Sequence, residues 1–434
     1  MTTQGDISIG ERIRFYRRGQ GKTQAVTAGL AEITESYLYQ VERGLKTPTV
    51  GVLQRIAAVL GIPVSVLLGE PSYAVENATH PVAADIQAAL MSYESSDALP
   101  VEHLRLRVDA AWKIWQTTAL RFSGIAPVLP ALIRDVQNAG RAAHSDPAEY
   151  RGAQRVAADL YFLLRTVCKR IGRPDLALLV ADRAMSAAMD ADDHLRILGA
   201  EWNLGQILLS QGQARAAFDV TVPAAERLEA RLNELSIDHA ALCGALWLNA
   251  STAASRLRDP PKARAILREH AEPLARRVGD ASNTLWTVFG PTNVSLHAVS
   301  VEMEAGESTE ALRIAEQIDV SGSPSMERRT TFYLQLAACY EQRRDDMGVL
   351  VHLQGAYETG PEDLRFNATA RGLVRGLLNR SRISIAPQAQ RLADDLGILA
   401  AERVLREVSP GAGLAGSVRG RWRAWSGSPV GSLE

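Results

Sequence analysis

Residues 23–44 read TQAVTAGLAEITESYLYQVERG, and two short helices are written there. Thr23 can cap the free amides of a helix running from Gln24 to about Leu30, and Thr34 those of a second from Glu35 to about Arg43. Gly44 stops the second helix. Ala28 is small enough for close helix approach, while Ile33, Leu38 and Val41 supply the side that packs inward. Glu35, Ser36, Tyr37, Tyr39 and Gln40 then face outward. These are polar groups at a helix N-terminus, on the face that a recognition helix turns toward base edges.

Upstream of this stretch, Ser8 and Glu11 form an S-x-x-E capping box that opens a first helix. Ile9, Ile13 and Tyr16 fall on one side of it, and Arg12, Arg14, Arg17 and Arg18 largely on others, where they either flank nucleic acid or form a solvated face. Downstream, Thr49 opens a helix with Leu53, Ile56, Ala57 and Leu60 at core spacing, closed by Gly61. Pro63 starts a fifth, which ends at Leu68-Gly69. Residues 1–69 are therefore expected to form one five-helix domain. Residues 1–70 carry eight Lys and Arg against six Asp and Glu, so a single copy should hold a duplex weakly. Two copies on a palindromic site would add their contacts, which predicts a homodimer.

The stretch resembles the DNA-binding domain of phage-repressor-like regulators, the Cro/CI or xenobiotic-response-element class with its lambda-repressor-like fold. The matching residues are Thr23-Gln24, Ala28 and Tyr37-Leu38-Tyr39-Gln40-Val41-Glu42-Arg43-Gly44, followed by Lys46-Thr47-Pro48. The resemblance implies that Gln24 bonds a phosphate, that Glu35, Ser36 and Gln40 read bases, and that Arg43, Lys46 and Thr47 hold the backbone. Thr34, Tyr37 and Tyr39 complete the expected DNA-binding set. Two positions depart from the pattern: Thr27 stands where the family usually has Leu, and Glu32 where the turn usually has Gly. The turn is then expected to be less tight and one core contact weaker.

A chain of 434 residues, 46% apolar but only 6% aromatic, points to an all-α protein of more than one domain. Cys168, Cys243 and Cys339 lie far apart and read as small core residues of a reducing cytosol. No apolar run is long enough for a membrane span, and the N-terminus lacks a signal peptide's pattern, so a cytoplasmic protein without membrane contact is expected. The sequence holds no phosphate-cradling Gly loop, no Gly-x-Ser-x-Gly, no His-Glu-x-x-His and no zinc spacing. Neither an enzyme nor a cofactor or metal is expected.

Residues 70–81, EPSYAVENATHP, read as a linker. Residues 82–408 read as helix after helix, and the Gly- and Ser-rich 409–434 as a disordered tail whose Arg419, Arg421, Trp422, Arg423 and Trp425 mix cation and ring. A long helix is expected from Val101 to Phe122, with Trp112 and Trp115 on its apolar stripe. Turn signals then recur around 172, 212, 258, 306 and 344. Each is preceded by an apolar helix and followed five residues on by Ala177, Ala217, Ala263, Ala311 or Val349, a helical-hairpin array.

This array resembles tetratricopeptide repeats over about residues 150–380, best at Tyr333, Leu336, Ala337, Tyr340, Leu353, Ala356 and Pro361. The resemblance implies an α-solenoid whose first helices line a groove. Phased together, the groove-facing positions fall on Leu163, Asn203, Asn249, His297 and Gln335. The last four are candidate ligand contacts, since amides suit a peptide backbone; bonding within the array is the blander account. Trp202, Trp247 and Trp286 lie nearby. The combination is similar to the peptide-pheromone receptors of Gram-positive quorum sensing, which implies a transcription regulator controlled by a short peptide. A small-molecule sensor and a scaffold that grips a partner protein remain as alternatives.

Overall fold

The computed structural model describes residues 9–19, 21–61, 64, 67, 82–93, 97–232, 236–380 and 385–398, and no strand occurs among them. The chain divides into two units, one of residues 1–72 with 398–434 and the other of residues 73–397. Ser8, the linker 70–81 and the tail 409–434 lie outside the described residues. So does most of the fifth helix, of which Val64 and Leu67 are described; Leu67 is fully buried.

The first unit contains α1 (Ile9–Gly19), α2 (Gln24–Leu30), α3 (Glu35–Glu42) and α4 (Val50–Leu60). The three threonine caps form as expected. Thr23 accepts from the Val26 amide at 3.2 Å, Thr34 from Tyr37 at 3.2 Å and Thr49 from Val52 at 3.4 Å. Each such cap is worth about 1 kcal/mol. Gly44 follows α3 at φ +72°, a conformation that costs a residue with a Cβ. Ile13, Ala28, Leu38, Val41, Leu53, Ile56 and Leu60 interlock as the core. At Gly10 the backbone of α1 lies so close to α3 that a Cβ would sit 2.0 Å from the Val41 carbonyl oxygen.

Both departures noted in the sequence have structural counterparts. Glu32 occupies the left-handed turn at φ +53°. Thr27 is fully buried, and its hydroxyl has no hydrogen-bond partner among the described residues.

The second unit opens with α5 (Val82–Leu90), α6 (Val101–Thr117), α7 (Arg121–Ile125) and α8 (Leu129–Ala142). The helix expected to reach Phe122 stops at Thr117, because Thr118 turns extended at φ −104°, ψ 131°. The chain restarts as α7, whose first amides are capped from far away: the Glu362 carboxylate accepts from the Phe122 amide at 2.7 Å.

Five helical hairpins follow. They pair α9 (Pro147–Arg170) with α10 (Pro174–Asp190), α11 (His194–Ser210) with α12 (Ala214–Glu229), and α13 (Ile237–Arg256) with α14 (Pro260–Ile266) and α15 (Glu272–Val278). The last two pair α16 (Pro291–Ala305) with α17 (Ser308–Ala315) and α18 (Met326–Gln342) with α19 (Asp346–Thr359). Three shorter helices, α20 (Pro361–Phe366), α21 (Ala368–Arg380) and α22 (Ala386–Asp395), come after them.

The hairpin turns sit where the sequence marks them. Gly172, Gly212, Arg258, Gly306 and Arg344 all have positive φ, between 59° and 85°. Ala177, Ala217, Ala263, Ala311 and Val349 are each at most 1% exposed, small or branched residues that let the two helices of a hairpin meet. First helices of successive hairpins pack side by side, and α18 also reaches α6. The array thus curls until its ends approach.

Candidate nucleic-acid interface and the interior of the array

Thr34, Glu35, Ser36, Tyr39, Arg43, Lys46 and Thr47 are exposed along α3 and the loop after it, while Tyr37 and Gln40 are half-buried. Two rings hold the face's cations. The Arg43 guanidinium lies 5.6 Å from the Tyr39 ring centre and donates from Nε to the Tyr39 hydroxyl at 3.3 Å. The Lys46 ammonium lies 5.5 Å from the Tyr37 ring centre. Rings placed this way restrict two long side chains to one side of the helix. Arg14 and Arg18 are also exposed.

Beneath the face is a polar node. Arg17, expected among the outward arginines, is only 6% exposed; it grips Glu42 of α3 through Nε at 2.6 Å and Nη2 at 2.8 Å. Its Nη1 donates to the Lys22 carbonyl at 2.9 Å. Gln24, expected at a phosphate, is half-buried and donates its amide to the Glu42 carboxylate at 2.7 Å. In this structure Gln24 therefore supports α3. The hydrogen bonds to Glu42 raise the Arg17 pKa further. Lys22 and Arg55 are likewise spent on the fold, donating to the Val59 carbonyl at 2.7 Å and to the Ala31 carbonyl at 2.9 Å.

In the second unit the phased ladder exists, and its partners are internal. Asn203 and Asn249 are 1% and 0% exposed, so they do not face an open groove. Asn203 accepts from Arg165 of α9 at 2.6 Å and donates to the Gly199 carbonyl at 2.8 Å. Asn249 donates to the Trp202 carbonyl at 3.0 Å and accepts from Gln206. His297 meets the Thr252 hydroxyl at 3.2 Å through Nδ1, and Gln335 donates to the Ser300 hydroxyl. Each bond joins one first helix to the next, apart from the Asn203 bond back to its own helix. Leu163, in the same phase, is fully buried.

The groups that do line the interior come from elsewhere. A cavity of about 60 Å³ is walled by Trp112, Trp115, Trp202 and Trp286 together with Arg121, Arg165, Glu327 and Arg328. Arg165, Lys169 and Arg170 project from α9, and Glu327 and Arg328 from α18. Glu327 bonds Arg170, with Nε at 3.1 Å, and lies 3.5 Å from Arg121, whose other partner is Asp363. Arg121 also stacks on Trp115 at 4.2 Å. Against the upward push of burial, Arg170, Arg121 and Lys169 hold the Glu327 carboxyl well below its usual range. Burial, reinforced by Arg170, pushes the Lys169 ammonium down to about 7, and burial brings Arg165 down to about 10.

The sequence carried a signal for these groups that went unread. Arg165 directly follows the apolar run LYFLL of residues 160–164 and precedes Thr166, Val167 and Cys168, a setting that does not suit a solvated cation.

The segment between α15 and α16 closes the cavity. Leu285, Trp286 and Val288 all have positive φ. Trp286 stacks on Trp112 of α6 at 4.5 Å and 3°, and its carbonyl accepts from Gln116 at 3.2 Å. Phe289 is buried against Gly244, where a Cβ would collide at 2.0 Å.

A four-helix core with a capped α3 that exposes a polar face defines the helix-turn-helix class. Comparison with known proteins agrees: residues 13–67 match the model of the family described as "Helix-turn-helix". The immunity repressor protein of Bacillus phage phi105 is 30% identical over 119 residues, 27% of this chain and 72% of that protein. The chain belongs to this phage-repressor-like family of helix-turn-helix transcriptional regulators. The regulator SinR of Bacillus licheniformis is 40% identical over 63 residues, 14% of this chain and 57% of SinR. A solved structure of Bacillus thuringiensis PlcR in complex with the peptide PapR7 and DNA aligns over 85% of this chain and 99% of that one. Its identity is 14% and its TM-score 0.28, too low to establish a shared arrangement. No described helix is long and apolar enough to cross a membrane.

Proposed function

We propose that this protein is an operator-binding regulator of the cytoplasm that acts as a homodimer, with α3 in the major groove and the helical array receiving a signal. The observation that carries the reading is the exposed polar face of α3 with its ring-held Arg43 and Lys46, standing on a buried Arg17–Glu42 pair. Thr34, Glu35, Ser36, Tyr37, Tyr39 and Gln40 supply the base-facing surface, and Arg43, Lys46 and Thr47 meet phosphates.

Charge supports the dimer reading. Several of the unit's cations are committed to internal partners, so one copy offers few phosphate contacts and two are needed for tight binding. A signal held in the array would act by changing the placement of the two heads, which must meet half-sites about one helical turn apart. The signal is a short peptide or a small molecule.

The test is selection of bound sites from a genomic or random duplex pool, followed by titration of Gln40→Ala. The variant should lose about 1–3 kcal/mol on the best site and much less on random DNA. Equal loss on both would mean that Gln40 touches only phosphate, and failure to enrich any sequence would defeat the reading.

A further inference from the structure

The interior of the array holds more positive charge than its own carboxylates match. Arg121, Arg165 and Arg328 line the cavity, Lys169 and Arg170 lie beside it around Glu327, and among the described residues Glu327 and Asp363 are the carboxylates that face them. Glu327 is shared by Arg170 and Arg121, and Asp363 meets Arg121 through Oδ1.

The other three cations make do with neutral acceptors among the described residues. Arg165 has the Asn203 amide at 2.6 Å, Lys169 the Gln206 amide at 3.5 Å, and Arg328 the Thr287 carbonyl at 3.4 Å. Two of these three contacts are long. Arg165 is buried and Lys169 and Arg328 are half-buried, and all three share the single charge of Glu327 with Arg170 and Arg121, so the cluster is matched only in part and an added anion would offset the excess. Water alone does not, and the enclosed space exceeds what one water needs, about 10–15 Å³, several-fold.

We propose that the array's interior binds an anionic group, a carboxylate or phosphate, held among Arg165, Lys169 and Arg328 beside the stacked Trp112 and Trp286. This deepens the reading of the array as the signal receiver and rests on it for biological meaning, though not for its chemistry. Arg165 and Arg328 supply planar forks suited to two oxygens of one acid, and Lys169, which meets the wall residue Gln206, a point charge beside them. The tryptophan walls suit a flat or apolar body attached to that group. Two sources share this chemistry, a free small acid and the C-terminal carboxylate of a peptide.

The test uses full-length protein without DNA and reads intrinsic tryptophan fluorescence and thermal shift. The probes are inorganic phosphate, benzoate, its neutral counterpart benzamide, and a random heptapeptide pool without Asp or Glu, made with free or amidated C-termini. At least one acid probe should bind saturably, with benzamide and the amidated pool failing. Response to benzoate or phosphate identifies a small acid as the source, and response confined to the free-carboxyl pool identifies a peptide.

Lys169→Met and Arg328→Gln should each weaken binding roughly tenfold or more, while operator affinity in the absence of probe stays unchanged and reports that the fold is intact. Equal binding of neutral and acidic probes, full binding by both variants, or no saturable binding by any acid overturns the proposal. Acid binding that leaves operator affinity untouched would sink the signal-receiver reading and leave the anion site standing.

Discussion

Glu42 gathers three donors, two from Arg17 and one from Gln24, at the junction of α1, α2 and α3. Glu42→Gln leaves the Arg17 guanidinium buried without its counter-charge and should destabilise the first unit by about 3–5 kcal/mol. Chemical denaturation followed by a probe in that unit measures this, and the Arg17→Met, Glu42→Leu double variant should lose less. Thr27→Val removes a buried hydroxyl that has no partner and should stabilise by about 1 kcal/mol. Glu32→Gly relieves the positive φ and should add about 1 kcal/mol more. The sequence disclosed both of these sites because each departs from a recognisable pattern. It hid the Arg17–Glu42 pair, since a charged side chain on an amphipathic helix reads as solvated. One clue existed: Arg17 lies four residues after Ile13, on the buried stripe.

At the scale of elements, the hairpin array was legible because its punctuation is local. A residue in the left-handed region follows each first helix, and a small or branched residue comes at a fixed offset after it, so turn residues and offset together marked five turns. Two of those turns use arginine where glycine would cost less. Arg258→Gly and Arg344→Gly should each stabilise the second unit by about 1 kcal/mol in thermal melts. Phasing the copies as groove-facing picked out Asn203, Asn249, His297 and Gln335, but pattern alone could not say whether a polar residue meets a ligand or the next helix, and here each bonds a neighbouring helix. The break at Thr118 was illegible for a different reason. The groups that anchor α7, Glu362 and Asp363, lie more than two hundred residues further along the chain.

On the scale of the whole second unit, ties between distant parts set behaviour that no single hairpin has. Arg170 meets Glu327, Arg121 meets Asp363, and Trp286 stacks on Trp112. Repeat arrays with only nearest-neighbour contacts lose repeats gradually, whereas this unit should unfold in one transition. Asp363→Asn should split that transition in calorimetry. The interior also makes stability pH-dependent. Burial, with Arg328 and Arg256, depresses His297 to about 3, below its ordinary 6.5. Its contribution is therefore present above pH 6.5 and lost as pH falls toward 3. Asp159, raised to about 6 by burial, contributes in the opposite sense, being lost as pH rises from 3.8 to 6. His297→Gln should flatten the acid limb of a denaturation series between pH 6.5 and 3 and leave the Asp159 limb in place.

The stacking of Trp286 on Trp112 also bears on how the chain is made. Gln116 and its acceptor on Trp286 are 170 positions apart, so α6 leaves the ribosome long before the segment that covers it is translated. At ordinary elongation rates of about 5–20 residues per second, Trp112 stands uncovered for roughly ten to thirty seconds. During that interval nascent chains need chaperone shielding, and a pause in translation just before residue 286 should raise the yield of aggregated product.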